Sequence, residues 1–198
     1  MAEAARDAKR RLRRDLRERV AALDADTASR AAAEAQARLA ALPALEDAAS
    51  LLVCRSFGGE IDTHALIERW LAEGRAVYVP RAVPGTRTLT IHRWPCAVET
   101  LRFGLEQPAA SAPALSPDEI DGVLDAAVLV GLGFDERAYR LGYGAGYFDT
   151  FLAGRPFPAF ALAYDVQIVE ALPVEPHDVP LAGVVTERRL LAGLEPGG

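Results

Sequence analysis

Lysine is almost missing from this chain. Of its 22 basic residues 21 are arginine, and Lys9 is the one lysine. Cysteine is scarce as well. Cys54 and Cys96 stand far apart with no partner at metal-ligand spacing, which argues against a zinc cluster and against a secreted disulfide scaffold. No uninterrupted apolar run of about 18 residues occurs, so no membrane span is expected. The charged N-terminus has no long apolar stretch behind it, so no signal peptide is expected either. A net charge of -6 argues against general affinity for nucleic acid. The expectation is one soluble, cytoplasmic domain over residues 1–198, a monomer whose partners are small molecules. Only the ends are expected to be disordered, as at Glu195 to Gly198.

What is present is unevenly spread. Residues 1–20 hold eight basic side chains against four acidic ones, which leaves the rest of the chain ten negative. On charge alone a solvated basic helix explains this. The lone lysine shifts the weight toward a local anion site, because an ammonium is a compact point charge where a guanidinium is a planar fork. Residues 4–22 read as a helix, with Ala5, Leu12, Leu16, Val20 and Leu23 toward the core and Lys9, Arg13 and Arg17 in one row beside them. A second helix is predicted from Asp26, as N-cap, to just before Pro43. Strands are predicted at 50–54, at 76–79 with Pro80 closing it, at 89–93 on an edge, and at 126–130, 160–163 and 183–185. Helices are predicted at 61–73, stopped by Gly74, and at 147–152. Residues 94–121 read as a long surface excursion, either a connector or part of a ligand pocket.

This alternation predicts a three-layer α/β/α fold with a mostly parallel, open, Rossmann-like sheet. Ligands in such sheets sit beyond the carboxyl ends of the strands, so the loops after residues 54, 130 and 163 should gather at one edge. His64, His92 and His177 are isolated in sequence and read as residues without chemistry. Trp70 and Trp94 read as packing residues.

The segment with the most specific chemistry runs from Arg140 to Asp149. Gly142, Gly144 and Gly146 alternate just before a predicted helix, where backbone N–H groups can cradle an anion. Arg140 stands at the mouth, and Asp149 is placed to hold a magnesium ion or to sit solvated in a first helical turn. Tyr147 and Phe148 follow the last glycine where a Walker loop needs lysine and a hydroxyl residue. A dinucleotide loop would need its glycines directly after the strand and the third glycine one residue later, which disfavours that reading despite Asp165 lying 19 residues after Gly146.

At these residues the chain resembles the 5-formyltetrahydrofolate cyclo-ligase family, whose loop reads Arg-Leu-Gly-x-Gly-x-Gly-Tyr-Tyr-Asp. Arg140, Leu141, Gly142, Gly144, Gly146, Tyr147 and Asp149 match it, and Phe148 replaces the second tyrosine. Gly131-Leu132-Gly133-Phe134-Asp135 fits as well. So do Ala8-Lys9-Arg10 with Leu12 and Arg13, Glu60-Ile61-Asp62-Thr63, Pro80-Arg81 and Val184-Val185-Thr186-Glu187. Tyr143 and Ala145 stand where some members carry basic residues.

The resemblance implies ATP-dependent closure of 5-formyltetrahydrofolate to 5,10-methenyltetrahydrofolate, with Mg2+. It implies that Lys9, Arg13 and the stretch Arg140, Leu141, Gly142, Tyr143, Gly144, Ala145, Gly146, Tyr147 and Phe148 bind ATP, with Arg140 and Lys9 catalytic. It implies that Arg55, Phe57, Glu60 and residues Tyr143 to Tyr147 line the folate site, and that Asp149 and Asp178 bind the metal. A non-catalytic sensor of folate or nucleotide, or a nucleotide-dependent enzyme for another formyl or amide substrate, are the rival readings.

Overall fold

The computed structural model describes residues 2–101 and 104–193, and side chains from Arg6 onward. The predicted core contact of Ala5 and the expected disorder at Glu195 to Gly198 lie outside the described residues. A seven-stranded sheet forms the centre, made of β1 (Ser50–Val53), β2 (Ala76–Ala82), β3 (Leu89–Arg93), β6 (Ala126–Leu129), β9 (Ala159–Leu162), β11 (Gly183–Val185) and β12 (Leu190–Ala192). Their spatial order is β12-β11-β9-β6-β1-β2-β3, parallel except at the two edge strands β3 and β12. The hairpin β4 (Val98–Thr100) and β5 (Glu106–Pro108), and a small sheet of β7 (Gly133–Asp135), β8 (Arg140–Leu141) and β10 (Ile168–Val169), complete the strands. Helices flank the main sheet: α2 (Ala25–Ala40) packs on β9 and β11, α4 (His64–Ala72) on β2, and α6 (Tyr147–Leu152) beside β3. The remaining helices are α1 (Ala2–Ala21) and the single turns α3 (Pro43–Glu46) and α5 (Ile120–Val123).

The three central strands are buried along their whole length, as strands covered on both faces must be. Leu51, Leu52, Val53, Val128, Leu129, Ala161 and Leu162 have no exposed surface. Asp125 sets the start of the sheet, since its Oδ2 accepts from the amides of Ala49 and Ser50 at 2.9 and 2.8 Å. From β1 the chain crosses to β2 on one side. From β6 it crosses to β9 on the other. The strand order therefore reverses between β1 and β6, and a crevice opens at their carboxyl ends.

Several boundaries differ from the sequence prediction. The N-cap of α2 is Asp24, whose Oδ1 accepts from the amide of Thr27 at 2.9 Å, and Asp26 sits in the first turn. Helix α4 starts at His64 with Thr63 as its N-cap residue; Thr63 Oγ1 donates to the Cys54 carbonyl and accepts from the Ser56 amide, and the amides of His64 and Ala65 donate to the Asp62 carboxylate instead. Strand β2 does not stop at Pro80. Its pairing with β1 ends at Tyr78, and beyond that only β3 lies alongside, so a residue without an N–H is tolerated. The excursion at 94–121 contains the β4–β5 hairpin, and residues 131–146 contain β7 and β8. Both pairs are too short to show periodicity. Gly74 ends α4 in the left-handed region as predicted, with φ 81°.

The β7–β8 turn is built around the fully buried Asp135. Its carboxylate accepts from the amides of Arg137, Tyr139 and Leu172 and from the Arg137 guanidinium, at 2.7 to 3.1 Å. These five bonds compensate a charge that burial would otherwise make costly. They also tie the loop around Leu172 to the hairpin that carries Arg140.

Helix α1 touches the main core only near its end, through Val20. Its Leu16, fully buried with Leu141 and Leu172, forms a small second core over the β7–β8–β10 sheet, with Leu12, Tyr139 and Val169 around it. Gly133 makes this seat possible, since a Cβ there would lie 2.3 Å from Leu16 Cδ1. Replacing Leu16 with alanine should cost about 2–5 kcal/mol, and the loss should be concentrated in α1. Hydrogen exchange should show the α1 amides opening well before the central strands. Unchanged protection of α1 in that variant would show that Leu16 does not seat the helix.

Candidate active site

A cavity of about 720 Å³ fills the crevice beyond β1 and β6, a size typical of small-molecule sites. Cys54 and Arg55 enter it from the end of β1, and Val130 from the end of β6. Lys9 and Arg13 enter from α1, and residues Arg140 to Asp149 from the glycine loop. Of the connection after residue 163, the first residues miss this cavity, and Glu175, His177 and Asp178 further along line it. Lys9, Arg13, Arg55, Phe57, Glu60, Arg140 to Phe148, Asp149 and Asp178, the residues the resemblance implies for ATP, folate and metal, all line this space.

The loop leaves β8 and meets α6 at Gly146, whose φ of 72° is left-handed, as is Gly144 at 103°. Side chains at Gly142 and Gly144 would displace two arginine side chains. A Cβ on Gly142 would lie 2.7 Å from Arg140 Nη1, and one on Gly144 3.1 Å from Arg13 Nη2. Two guanidinium groups thus press directly on the loop backbone. Arg13 Nε donates to the Gly142 carbonyl at 2.8 Å, and Arg140 stacks 4.8 Å over the Phe148 ring. Phe148 lacks the hydroxyl of a tyrosine but supplies the face that holds this cation. Tyr147 Oη donates to the Val83 carbonyl at 3.0 Å, linking the loop to the β2–β3 turn.

Lys9 and Asp178 were read as a phosphate contact and a metal ligand. Here they are paired with each other. Lys9 Nζ lies 3.0 Å from Asp178 Oδ2 and 3.1 Å from Glu175 Oε2. Burial would lower the Lys9 pKa, but the hydrogen bonds and charges of Asp178 and Glu175 outweigh it and hold it raised. Glu175, His177 and Asp178 bring three ligand atoms within 4.8 Å of one another. Asp149 is not in that group, though its Oδ1 accepts from the amide of the adjoining Val179 at 3.4 Å.

On the opposite wall Glu60 is held by the Phe57 amide and the Tyr143 hydroxyl, both at 3.2 Å. The Phe57 and Tyr143 rings stack at 5.2 Å. Arg55 lies flat on Trp94 at 4.3 Å and donates to Glu106 at 2.8 Å, while its Nε and Nη1 are buried without partners among the described residues. Cys54 lines the cavity, but burial pushes its thiol up to about 12, so it is no nucleophile. Sequence reasoning missed Arg6, Arg87, Glu106, Glu175 and His177, all in the cavity wall. Arg6 lay three residues before Lys9 and could have been found. Arg87 and Glu106 arrive on hairpins with no sequence signal.

Fold and cavity define an α/β protein with a cavity lined by a glycine loop and several cations at the switch point of its parallel sheet. Residues 5–187 match the 5-formyltetrahydrofolate cyclo-ligase family. The 5-formyltetrahydrofolate cyclo-ligase of Escherichia coli K12 is 31% identical over 182 residues, covering 88% of this chain and 98% of that one. The mouse protein of the same name is 29% identical, over 91% and 94%. The solved structure of Aquifex aeolicus 5,10-methenyltetrahydrofolate synthetase matches in fold with a TM-score of 0.77 at 24% identity, covering 96% of this chain and 95% of that one. This chain belongs to the 5-formyltetrahydrofolate cyclo-ligase family and is an enzyme of that class. Among the described residues no helix is long and apolar enough to cross a membrane.

Burial pushes the Glu60 carboxyl from 4.5 up to about 7, against the Phe57 amide, the Tyr143 hydroxyl and the Arg140 charge, which favour the ionised form. Between these values the folded protein keeps a proton that the unfolded chain has released, so stability falls as pH rises through that window. Glu60→Gln should match the parent near pH 4.5 and become the more stable of the two above about pH 7. Melting temperatures across that range test this. A gap that does not change with pH would contradict it.

Proposed function

We propose that this enzyme converts 5-formyltetrahydrofolate to 5,10-methenyltetrahydrofolate with ATP, releasing ADP and phosphate. Family membership implies ATP as co-substrate. The observation that carries the reading is that the glycine loop, its cations and the Glu60–Tyr143 wall all open on one cavity. A phosphate donor and an acceptor can therefore meet there.

The chemical problem is a stable formamide whose oxygen leaves poorly. In the proposed reaction the formyl oxygen attacks the γ-phosphorus, the bond to the bridging oxygen of ADP breaks, and ADP departs. N10 then attacks the activated carbon and loses its proton, the ring closes, and the carbon–oxygen bond breaks to release phosphate. Such transfer needs alignment and charge neutralisation more than a nucleophile. Arg140 and the loop N–H groups would hold the phosphates, with Arg13 and Lys9 closing over them from α1. Arg6 and Arg87 add positive charge to the same walls. Glu60 would accept hydrogen bonds from the pterin N–H groups, and those bonds would bring its raised pKa back down.

Magnesium fits the oxygen donors of Asp149, Asp178 and Glu175 and, when bound, would offset phosphate charge. Lys9 rests on two of those carboxylates. Engaging phosphate would thus mean that Lys9 releases them, which would leave their oxygens free to hold the cation.

Mixing the protein with ATP, magnesium and 5-formyltetrahydrofolate should produce methenyl absorbance, and omitting ATP should abolish it. Tight folate binding without turnover would instead favour a sensor, and turnover of a different formyl substrate alone would favour the second rival. Lys9→Ala should raise KM for ATP and lower kcat, together at least roughly 10-fold in kcat/KM, with a melting temperature close to the parent. Unchanged kinetics with normal melting would refute the role of Lys9.

A further inference from the structure

The proposed reaction moves charge as well as phosphate. When the formyl oxygen takes the γ-phosphoryl group from ADP, the formyl carbon is left doubly bonded to N5, which becomes positive. N10 adds to that carbon. The carbon–oxygen bond then breaks, its electron pair leaves with the phosphate, and the proton of N10 departs on the same phosphate. A neutral formamide has become a ring cation, its charge spread over N5, the bridging carbon and N10. The cavity proposed to host this step is lined by Arg6, Lys9, Arg13, Arg55, Arg87 and Arg140. Cations that hold phosphate oppose a second cation forming beside them. The ring therefore needs an anion of its own.

The carboxylates around the cavity are Glu60, Glu106, Asp149, Glu175 and Asp178. Glu106 holds Arg55, and Glu175 and Asp178 hold Lys9. Asp149 accepts from the Val179 amide at the end of the glycine loop, where the phosphates are proposed to lie. Glu60 stands apart. Among the described residues it forms no salt bridge, and its two partners, the Phe57 amide and the Tyr143 hydroxyl, are neutral donors. Arg140 acts on it only from beyond salt-bridge distance and is itself stacked on Phe148. Around Glu60 the Phe57 and Tyr143 rings stack on each other and line the same cavity. The Tyr143 ring already seats one cation. Arg17, which lines a second cavity sharing these rings, holds its guanidinium 5.7 Å from the Tyr143 ring centre. A carboxylate without a counter-charge beside two aromatic rings suits a flat, delocalised cation.

We infer that Glu60 is the counter-ion of this reaction: its ionised carboxylate, with the Phe57 and Tyr143 rings, stabilises the positive charge that develops on the N5–carbon–N10 bridge. The inference rests on the reaction proposed above. It adds to the hydrogen bonds already given to Glu60 a role that only a negative charge can fill. Burial with too few donors holds this carboxyl up to about 7 in the free protein, and a cation arriving beside it would bring it back down.

The test compares the neutral substrate with the cationic product on Glu60→Gln, which keeps the size and an acceptor oxygen but not the charge. Without nucleotide, Glu60→Gln should bind 5-formyltetrahydrofolate within about threefold of the parent and freshly dissolved 5,10-methenyltetrahydrofolate roughly 10-fold more weakly. Its kcat should fall roughly 100-fold, with KM for ATP unchanged. Glu60→Asp, which keeps the charge, should recover part of the lost kcat. If Glu60→Gln weakens both ligands equally, or turns over at the parent rate, the inference is overturned while the proposed reaction stands. If the parent protein forms no methenyl product under any nucleotide condition, the reaction and this inference fall together.

Discussion

The site depends on seating a positively charged helix against a wall that carries Arg140. Lys9, Arg13 and Arg17 of α1 approach a wall that already carries Arg140, and like charges at close range repel. That local repulsion works against the helix, while the net-negative remainder of the chain attracts it. The burial of Leu16 against Leu141 and Leu172 supplies an attraction that does not depend on charge. The Glu175 and Asp178 carboxylates then neutralise the one lysine, and the Gly142 carbonyl takes a hydrogen bond from Arg13. The cations are thereby gathered in the cavity wall, and in the proposed reaction a polyanion entering it would meet charge that has already been assembled.

The same constraint explains why the glycine loop can be so short of charge. Tyr143 and Ala145 carry none, and the cations come from neighbouring elements: Arg140 from β8, Arg13 from α1, and Arg87 from the β2–β3 turn. Arg140 and Arg13 lie close against glycine backbone that has no side chain to obstruct them. Asp135 underlies this arrangement, because its buried carboxylate shapes the hairpin that delivers Arg140 and ties it to the loop preceding Glu175. Structural and chemical carboxylates are thus distinct here. Asp135 is fully compensated by donors, whereas Glu60 is buried with too few and keeps its proton to about pH 7.

The long regular elements were legible in the sequence. Central strands β1, β6 and β9 read as unbroken apolar runs, and α6 was predicted at its observed bounds, 147–152. What could not be read were the pieces held by distant partners. Strands β7, β8 and β10 are two or three residues each and exist because they pair with one another. Pro80 within β2 is tolerated because the neighbouring strand has already ended, a fact of register that no local pattern records. His177 looked isolated in sequence and lies in the cavity wall beside Asp178, because the chain folds back there.

By itself the sequence determined the kind of chemistry: glycines that open the backbone to an anion, a single lysine among arginines, and an acid after the loop. These are local properties of residue type and spacing. Only the tertiary structure decided how they divide the work. One helical row of three cations is split, with Lys9 and Arg13 at one cavity and Arg17 at the next. Lys9 rests on carboxylates rather than standing free. The division follows from where α1 is seated, and that seat is set by packing between residues more than a hundred positions apart in the chain, which local sequence cannot encode.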